Sequence, residues 1–236
     1  MGSGKKKMKQ ASEIIVISVG GSLICSDDID VDFLKKLKQI ILKHVGHGKR
    51  FILITGGGKI CRKYQEAARE VGEIDNEDLD WLGIHGTRIN AHLIRTIFKK
   101  YAYPQIIKHP LDKISFKEKI LVAAGWKPGF STDYDAVMLA KQFKVKKIIN
   151  LSNIDYIYDQ DPAKYANAKP FKTMSWNNFR QLFGGKWSPG LNVPFDSVAS
   201  KEAEKQKMTV YIINGSKLEN LDSLLEGDEF VGTIIS

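Results

Sequence analysis

The feature that most constrains the fold is a short apolar run that ends in three consecutive glycines. Phe51 to Thr55 has the composition of a buried strand, Gly56 to Gly58 follow, and a helical pattern begins after Lys59. Glycine permits close approach of a ligand to the backbone, and a strand that re-enters a helix presents free N–H groups to an anion. The spacing matches neither the Walker P-loop nor G-x-G-x-x-G. The segment therefore predicts either a phosphate or carboxylate site or a flexible loop that only joins strand to helix.

A second glycine turn favours the anion site. Ile14 to Val19 is another apolar strand, and Gly20-Gly21-Ser22 follows it. Strands alternate with helical patterns along the chain, which predicts a mainly parallel sheet with helices on both faces. We expect one three-layer α/β/α sandwich over residues 13–236, with two phosphate-bearing ligands held face to face by the two glycine loops. Residues 1–12, which contain four lysines, are expected to form a disordered basic tail.

Composition narrows the class of protein. Of the 236 residues 43% are hydrophobic, and no apolar run approaches the roughly 18 residues that a membrane span needs. The chain start lacks the apolar segment of a signal peptide, so we expect a cytoplasmic protein without a membrane partner. Cys25 and Cys61 form no C-x-x-C motif and are expected to be reduced. The net charge of +9 accompanies no nucleic-acid-binding motif, and we interpret it as attraction for anionic small molecules.

Three later segments carry polar groups that could either serve a ligand or only cap a helix or end a strand. Four acidic residues between positions 75 and 80 precede a helical pattern expected from about Leu79 to Tyr101, and each suits the positive start of a helix. A glycine- and proline-containing loop, Gly125 to Phe130, runs into Ser131-Thr132-Asp133, which fits either an ordinary helix cap or a phosphate site. The strand Lys147 to Leu151 runs into polar residues, where open α/β sheets bind ligands. The remaining predicted elements are helices over about 30–44, 175–183, 198–207 and 218–225, a glycine-rich loop over 184–196, and strands over 210–213 and 231–235.

Taken in order, the motifs resemble those of the amino acid kinase superfamily. They are V-G-G-S, T-G-G-G-K-x-x-R, D-W-L-G-I, P-G-F-S-T-D, N-I-D-Y-I-Y-D-Q-D-P and a late D-x-x-x-x-K, and they lie between Ile14 and Ile235. Within the superfamily the chain is most similar to the archaeal-type uridylate (UMP) kinases. The resemblance implies transfer of the γ-phosphoryl group of ATP to UMP with Mg²⁺, in pyrimidine nucleotide biosynthesis, by a protein that is usually a hexamer.

The resemblance also implies roles for the residues that match its motifs. Lys201 and Arg62 would stabilise the phosphoryl group during transfer, a reaction that depends mainly on positioning and positive charge. Asp80 matches the acidic residue that binds the UMP ribose. The implied ATP-binding residues are Gly21, Ser22, Gly58, Arg62, Ser152, Tyr158 and Asp161. The implied UMP-binding residues are Gly57, Asp80, Trp126, Lys127, Pro128, Gly129, Phe130, Ser131 and Thr132. No residue is implied as a metal ligand.

Four departures from the family pattern bear on these expectations. Ser18 stands where many superfamily members have lysine, and Tyr156 stands where glycine is usual. The S-T-D-Y-D run is one residue longer than in the archaeal pattern, which leaves open whether Asp133 or Asp135 has the family role. The loop Trp187 to Asp196 replaces the usual small-residue loop between acceptor and donor.

Two alternatives stay open at this point. One is a superfamily member that phosphorylates another acceptor, either a carboxylate or isopentenyl phosphate. The isopentenyl phosphate enzymes have a histidine just after the glycine triplet, where this chain has Lys59-Ile60-Cys61, and aspartate kinases usually carry regulatory domains for which this chain has no room. The other is a non-catalytic nucleotide-binding protein on the same fold. Retention of Lys201, Arg62 and both glycine loops favours an enzyme.

Overall fold

A computed structural model describes residues 13–184 and 193–236 of the chain. The predicted basic tail and the part of the loop Trp187 to Asp196 before residue 193 lie outside these ranges. Within them, no helix combines the length and the apolar character that crossing a membrane requires.

The described ranges contain ten strands and eight helices. The strands are β1 (Ile14–Val19), β2 (Arg50–Thr55), β3 (Ala102–Ile107), β4 (Ile120–Ala123), β5 (Lys147–Ser152), β6 (Ile157–Tyr158), β7 (Pro170–Phe171), β8 (Thr173–Met174), β9 (Thr209–Asn214) and β10 (Gly232–Ile235). The helices are α1 (Gly21–Ile24), α2 (Val31–Gly46), α3 (Gly58–Val71), α4 (Asn76–Ile97), α5 (Thr132–Gln142), α6 (Trp176–Phe183), α7 (Ser197–Lys205) and α8 (Leu218–Glu226).

Eight strands form one sheet in the order β3-β4-β2-β1-β5-β9-β10-β8. Every neighbouring pair is parallel except β9 and β10. Val19 pairs with Thr55 on one side and with Leu151 on the other, so the carboxyl ends of β1, β2 and β5 lie side by side. The chain adds β2 and β4 on one side of β1 and later adds β5 and β9 on the other side. Open α/β sheets bind ligands in the crevice where the direction of strand addition reverses in this way.

Helices cover both faces of the sheet, so the predicted three-layer sandwich is confirmed. One apolar core lies under α2, α4 and α8 and includes Leu37, Ile94 and Leu221. The other lies under α5, α6 and α7 and includes Val137 and Phe179. Because the central strands are covered on both faces, they consist of continuous apolar runs, as buried parallel strands do.

The predicted bounds of the fourth helix are wrong at both ends. The Asp75 side chain accepts a hydrogen bond from the Asp78 N–H at 2.8 Å and starts α4 at Asn76, three residues before the predicted Leu79. The helix ends at Ile97, and the chain then enters strand β3. β3 contains Pro104. It is an edge strand with an irregular register, where the missing N–H of proline is tolerated.

Candidate active site

The two glycine loops pack against each other at the carboxyl ends of β1 and β2. A β-carbon on Gly21 would lie 2.0 Å from the Gly58 nitrogen, and one on Gly56 would lie 2.7 Å from the Gly21 nitrogen. Gly58 also has a φ of +74°, a conformation that favours glycine. Only glycine permits this contact between two backbones, so the loops form one continuous surface.

Asn90 of α4 fixes the triple-glycine loop from behind. Its Nδ2 donates hydrogen bonds to the carbonyl oxygens of Gly56 at 2.9 Å and Gly57 at 3.2 Å. The residue is only 4% exposed, so the contact is shielded from water. The sequence analysis missed Asn90, although a polar residue among the apolar positions of a helix is a signal that could have indicated it.

The loops line a cavity of about 490 Å³ at this edge of the sheet. Its volume lies in the range of small-molecule sites. Ten residues that the sequence analysis placed in a nucleotide site line it, namely Gly21, Ser22, Gly57, Gly58, Arg62, Asp80, Phe130, Ser131, Thr132 and Ser152. Seven others belong to the described chain but not to the cavity wall, namely Trp126, Lys127, Pro128, Gly129, Tyr158, Asp161 and Lys201.

Asp80 connects α4 to the loop of residues 125–131, which the family resemblance predicts to bind the acceptor and which we therefore call the acceptor loop. Its Oδ2 accepts a hydrogen bond from the Gly129 N–H at 2.9 Å. Burial raises the pKa of the Asp80 carboxyl, and the hydrogen bond from Gly129 opposes that rise. Asp75 caps the helix, and neither Glu77 nor Asp78 lines the cavity. Asp80 is thus the one member of the acidic group at 75–80 that faces the cavity.

Aromatic rings hold the acceptor loop in place. The Trp126 ring lies 5.0 Å from the Phe130 ring, which in turn lies 4.7 Å from the Tyr134 ring. The Lys127 ammonium lies 4.3 Å from the centre of the Trp126 ring, within cation–π range. Arg88 donates a hydrogen bond to the Trp126 carbonyl at 3.0 Å. Trp126 and Lys127 therefore support the loop from outside the cavity, while Phe130 reaches its wall.

The structure separates Asp133 from Asp135. Asp133 lines the cavity, and its Oδ1 accepts hydrogen bonds from Asn150 Nδ2 at 3.1 Å and Ser18 Oγ at 3.4 Å. Asp135 is buried outside the cavity wall and accepts a hydrogen bond from the Trp126 N–H at 3.1 Å. Two residues apart on α5, the carboxyls point in different directions, so only Asp133 is placed to meet a ligand.

Asp196 is a buried carboxylate that lies beside the half-buried Asp133. Its backbone N–H donates to Asp133 Oδ2 at 3.3 Å, and its own side chain caps α7 and accepts a hydrogen bond from the Ser131 hydroxyl. Burial and, next, the charge of Asp196 raise the pKa of Asp133 to about 7. In the sequence Asp196 appears only as the first residue of the late D-x-x-x-x-K pattern, and its contact with Asp133 spans 63 positions.

The two predicted cationic residues lie in different settings. Arg62 lies on the second turn of α3 and lines the cavity. Lys201 lies on the second turn of α7 and is exposed. Asp196, which precedes α7, lines the cavity. Lys201 lies five residues later along the chain, outside the cavity wall.

Both cysteines are free thiols, as predicted. Cys61 lines the cavity, and its Sγ lies 3.2 Å from the Gly83 carbonyl oxygen. Burial raises the pKa of the Cys61 thiol to about 11. Because the thiolate is the reactive form, this raised pKa makes the Cys61 thiol a weak nucleophile at neutral pH.

Comparison with known proteins identifies the class to which this fold and cavity belong. Residues 13–214 match the model of the amino acid kinase family. The chain is 34% identical to the uridylate kinase of Thermoplasma volcanium over 227 residues, which cover 95% of this chain and 98% of that protein. It is likewise 34% identical to the uridylate kinase of Staphylothermus marinus over 226 residues, with 95% and 99% covered.

Solved structures agree with these relatives. The crystal structure of uridylate kinase from Archaeoglobus fulgidus superposes with a TM-score of 0.80 at 28% identity, covering 95% of this chain and 100% of that one. UMP kinase from Bacillus anthracis superposes with a TM-score of 0.77 at 20% identity, covering 96% and 97%, which supports the fold alone. The chain belongs to the amino acid kinase family. Within that family its similarity is to the archaeal-type uridylate kinases, as the motifs predicted.

Proposed function

We propose that this protein is an ATP-dependent UMP kinase, which transfers the γ-phosphoryl group of ATP to UMP and forms UDP for pyrimidine nucleotide biosynthesis. The observation that carries the proposal is the cavity in which both glycine loops, Asp80 and the acceptor loop meet. Such a cavity can hold two phosphate-bearing ligands against backbone amides, and phosphoryl transfer requires that two anionic groups be brought together. No observation in the described residues favours another acceptor or a non-catalytic role.

The ATP side of the proposed site is the half formed by β1, α3 and β5. Gly21, Ser22 and Gly58 would contact the phosphates through the backbone, with Arg62 supplying charge and Ser152 lying toward the nucleoside. Tyr158 and Asp161 would bind the nucleoside from the segment after β5. They lie outside the present cavity wall, so their part in the proposal rests on the family motif.

The UMP side is the half formed by α4 and the acceptor loop. Gly57 and Asp80 would contact UMP, and Ser131 and Thr132 would bind its phosphate at the start of α5, where amides and the helix dipole favour an anion. Phe130 offers a flat apolar surface to the base. Trp126, Lys127, Pro128 and Gly129 would contribute by holding the loop.

The residues around Asp133 fit the Mg²⁺ that accompanies ATP in such kinases. Carboxylate oxygens are preferred ligands of Mg²⁺, and the hydrogen-bond donors to Asp133 in the described chain are uncharged groups of Ser18, Asn150 and Asp196. A bound cation would neutralise phosphate charge beside Asp133. Asn150 orients the Asp133 carboxylate, and the glycine loops exclude side chains from the space between the two phosphates.

We also propose that the protein is a cytoplasmic homo-oligomer, a hexamer as the family resemblance implies. Exposed apolar side chains on α3 and α4 support association, among them Tyr64 at 57%, Val71 at 90% and Ile89 at 66% exposure. Size-exclusion chromatography with light scattering should give six times the mass of the chain. A mass equal to one chain would contradict the oligomer.

The proposed reaction is tested by coupled detection of ADP release from Mg-ATP. UMP, CMP, dUMP, acetylglutamate, aspartate and isopentenyl phosphate are compared as acceptors at matched concentrations. Selective turnover of UMP is expected. Turnover of another acceptor alone would reassign the substrate to that compound, and absence of turnover with all of them would favour a non-catalytic nucleotide-binding protein.

A Lys201→Ala variant should lower kcat by on the order of 10²–10³, because removal of one charge-stabilising donor in a transition state has about that effect. Lys205→Ala is the matched control, since Lys205 is a lysine in the last turn of the same helix and outside the cavity wall. Steady-state kinetics of both variants with UMP and ATP give the comparison. Unchanged turnover in Lys201→Ala would remove this residue from the mechanism.

An Asp80→Asn variant should raise KM for UMP by about tenfold or more, because a hydrogen bond to a charged group contributes about 1.5–3 kcal/mol. KM for ATP should change much less, since Asp80 lies on the acceptor side of the cavity. Asp78→Asn, on the same helix and exposed, is the control. Equal changes in KM for both substrates would place Asp80 outside the UMP site.

A further inference from the structure

At the edge of the sheet opposite the cavity, the carboxyl ends of α2 and α8 meet around a buried histidine. His44 is 0% exposed, and its Nε2 lies 2.8 Å from Asp222 Oδ1. An ionised carboxylate only accepts hydrogen bonds, so Nε2 is the donor to Asp222 and Nδ1 is the ring nitrogen that remains for another partner. Nδ1 is buried and has no hydrogen-bond partner in the described residues. Buried polar atoms without a partner are rare and require an explanation.

Two further ligand groups surround this ring. His47, the exposed residue just after α2, places its ring 5.8 Å from the His44 ring, and Glu226 Oε1 lies 3.9 Å from His44 Nε2. One ring nitrogen of each histidine and one oxygen of Glu226 all lie within 4.8 Å of one another. Glu226 Oε1 approaches the ring at Nε2, so binding of an ion at Nδ1 requires the exposed side chains of His47 and Glu226 to rotate until their ligand atoms and Nδ1 lie about 2.0–2.2 Å from it.

The surroundings favour positive charge. Two helices present their negative ends here, and cations are stabilised at such ends. Two lysines already lie at these helix ends. Lys43 Nζ lies 2.8 Å from Asp222 and 3.1 Å from Glu226. Lys49 donates a hydrogen bond to the Leu225 carbonyl at the end of α8. The Lys43 side chain is 43% exposed, so it can turn to solvent when another cation binds.

We propose that His44, His47 and Glu226 form a site for a transition-metal ion of the Zn²⁺ type. Imidazole and carboxylate are ligands of Zn²⁺, whereas Mg²⁺ and Ca²⁺ prefer oxygen alone. Asp222 orients His44 through the ring nitrogen that does not bind the ion, as outer carboxylates do in zinc sites. The ion links α2 to α8 on the side of the sheet that takes no part in phosphoryl transfer, so the site stabilises the fold independently of the proposed reaction.

The test compares metal binding by the full chain and by two histidine variants. After chelator treatment, isothermal titration with Zn²⁺ and the visible absorption of added Co²⁺ should show one tight site per chain in the wild type. Zinc should raise Tm in the absence of nucleotide, and this rise should require His47, whereas any rise with Mg²⁺ or Ca²⁺ should be the same in wild type and His47→Ala. His47→Ala should weaken binding at least about tenfold, as loss of a ligand does, and His92→Ala, which removes an exposed histidine of α4, should leave it unchanged.

A Lys43→Met variant is expected to strengthen Zn²⁺ binding, whereas His47→Ala is expected to weaken it. Removing the ammonium that competes for Glu226 should tighten Zn²⁺ binding on the order of tenfold, because like charges at this separation repel. Far-UV circular dichroism without metal shows that each variant is folded. Equal Zn²⁺ affinities of His47→Ala and His92→Ala, or a Co²⁺ spectrum unaffected by His47→Ala, would overturn the site.

Discussion

An Asp133→Asn variant should turn over UMP at least about 10²-fold more slowly than the wild type, yet be more stable above neutral pH. The loss of activity follows because Asp133 lines the cavity and is proposed to hold the Mg²⁺ that accompanies ATP, and misplacing reacting groups by small distances has about that effect. The gain in stability follows because partial removal from water and, next, the charge of Asp196 disfavour the ionised form of Asp133. The same substitution should therefore lower turnover and raise the free energy of unfolding.

The pH dependence gives the sign of the stability effect. The folded-state pKa of Asp133 is raised to about 7 from an ordinary 3.8, so between these values the folded protein holds a proton that the unfolded chain has released. Stability therefore falls as pH rises through this window and is lowest above pH 7. Asparagine does not titrate. The stability advantage of Asp133→Asn should grow by roughly 3 kcal/mol between about pH 5 and 8, measured by urea unfolding without nucleotide or Mg²⁺.

Asp135→Asn is the matched control for this experiment. Asp135 is buried on the same helix, and its burial likewise raises its pKa, but it bonds the Trp126 N–H and lies outside the cavity wall. An asparagine oxygen can still accept that hydrogen bond, so kcat should stay within about tenfold of the wild type. If Asp135→Asn lost activity and Asp133→Asn kept it, the assignment of the two carboxyls would be reversed. If stability of Asp133→Asn followed the wild-type pH curve, the raised pKa would be refuted.

The sequence predicts the parts of the cavity that come from the backbone. Glycines at positions 21 and 56–58 indicate either close backbone packing or close approach of a ligand. Because they follow apolar strands, the sequence also indicates that they lie at the edge of the sheet. Asp80 was separable from its neighbours only through the family motif. The structure explains why Asp80 differs from its neighbours. Asp75 caps the helix, and Asp80 then lies on the turn that faces the acceptor loop.

The side-chain contacts across the cavity could not be predicted. Asp133 and Asp135 are equivalent in a linear pattern, and the cap formed by Ser131 determines which of them faces inward. Asp196 reaches Asp133 only because α7 packs beside α5. His44 resembles any polar residue near a helix end, and its burial depends on α8, about 180 positions later. Lys201, by contrast, was predicted from a motif, and its exposed position leaves its role to the kinetic experiment.

A Gly21→Ala variant should lose at least about 3 kcal/mol of unfolding free energy and most of its activity. The added β-carbon would lie 2.0 Å from the Gly58 nitrogen and 2.5 Å from the carbonyl carbons of Gly56 and Gly57. All three are backbone atoms, so no side chain can rotate away and the two loops must separate. Overpacking of this kind usually costs about 1–3 kcal/mol, and more where the backbone must move.

Gly46→Ala is the control, because nothing lies within 4 Å of the β-carbon that it adds at the end of α2. That variant should be as stable as the wild type or gain about 0.5–1 kcal/mol from reduced freedom of the unfolded chain. Urea unfolding and ATP affinity are measured for both variants. Because ATP phosphates are proposed to lie on the loops that Gly21→Ala separates, ATP affinity should fall together with stability. A Gly21→Ala protein with wild-type stability and ATP affinity would mean that the loops are not packed as described, and the proposed phosphate site would lose its structural basis.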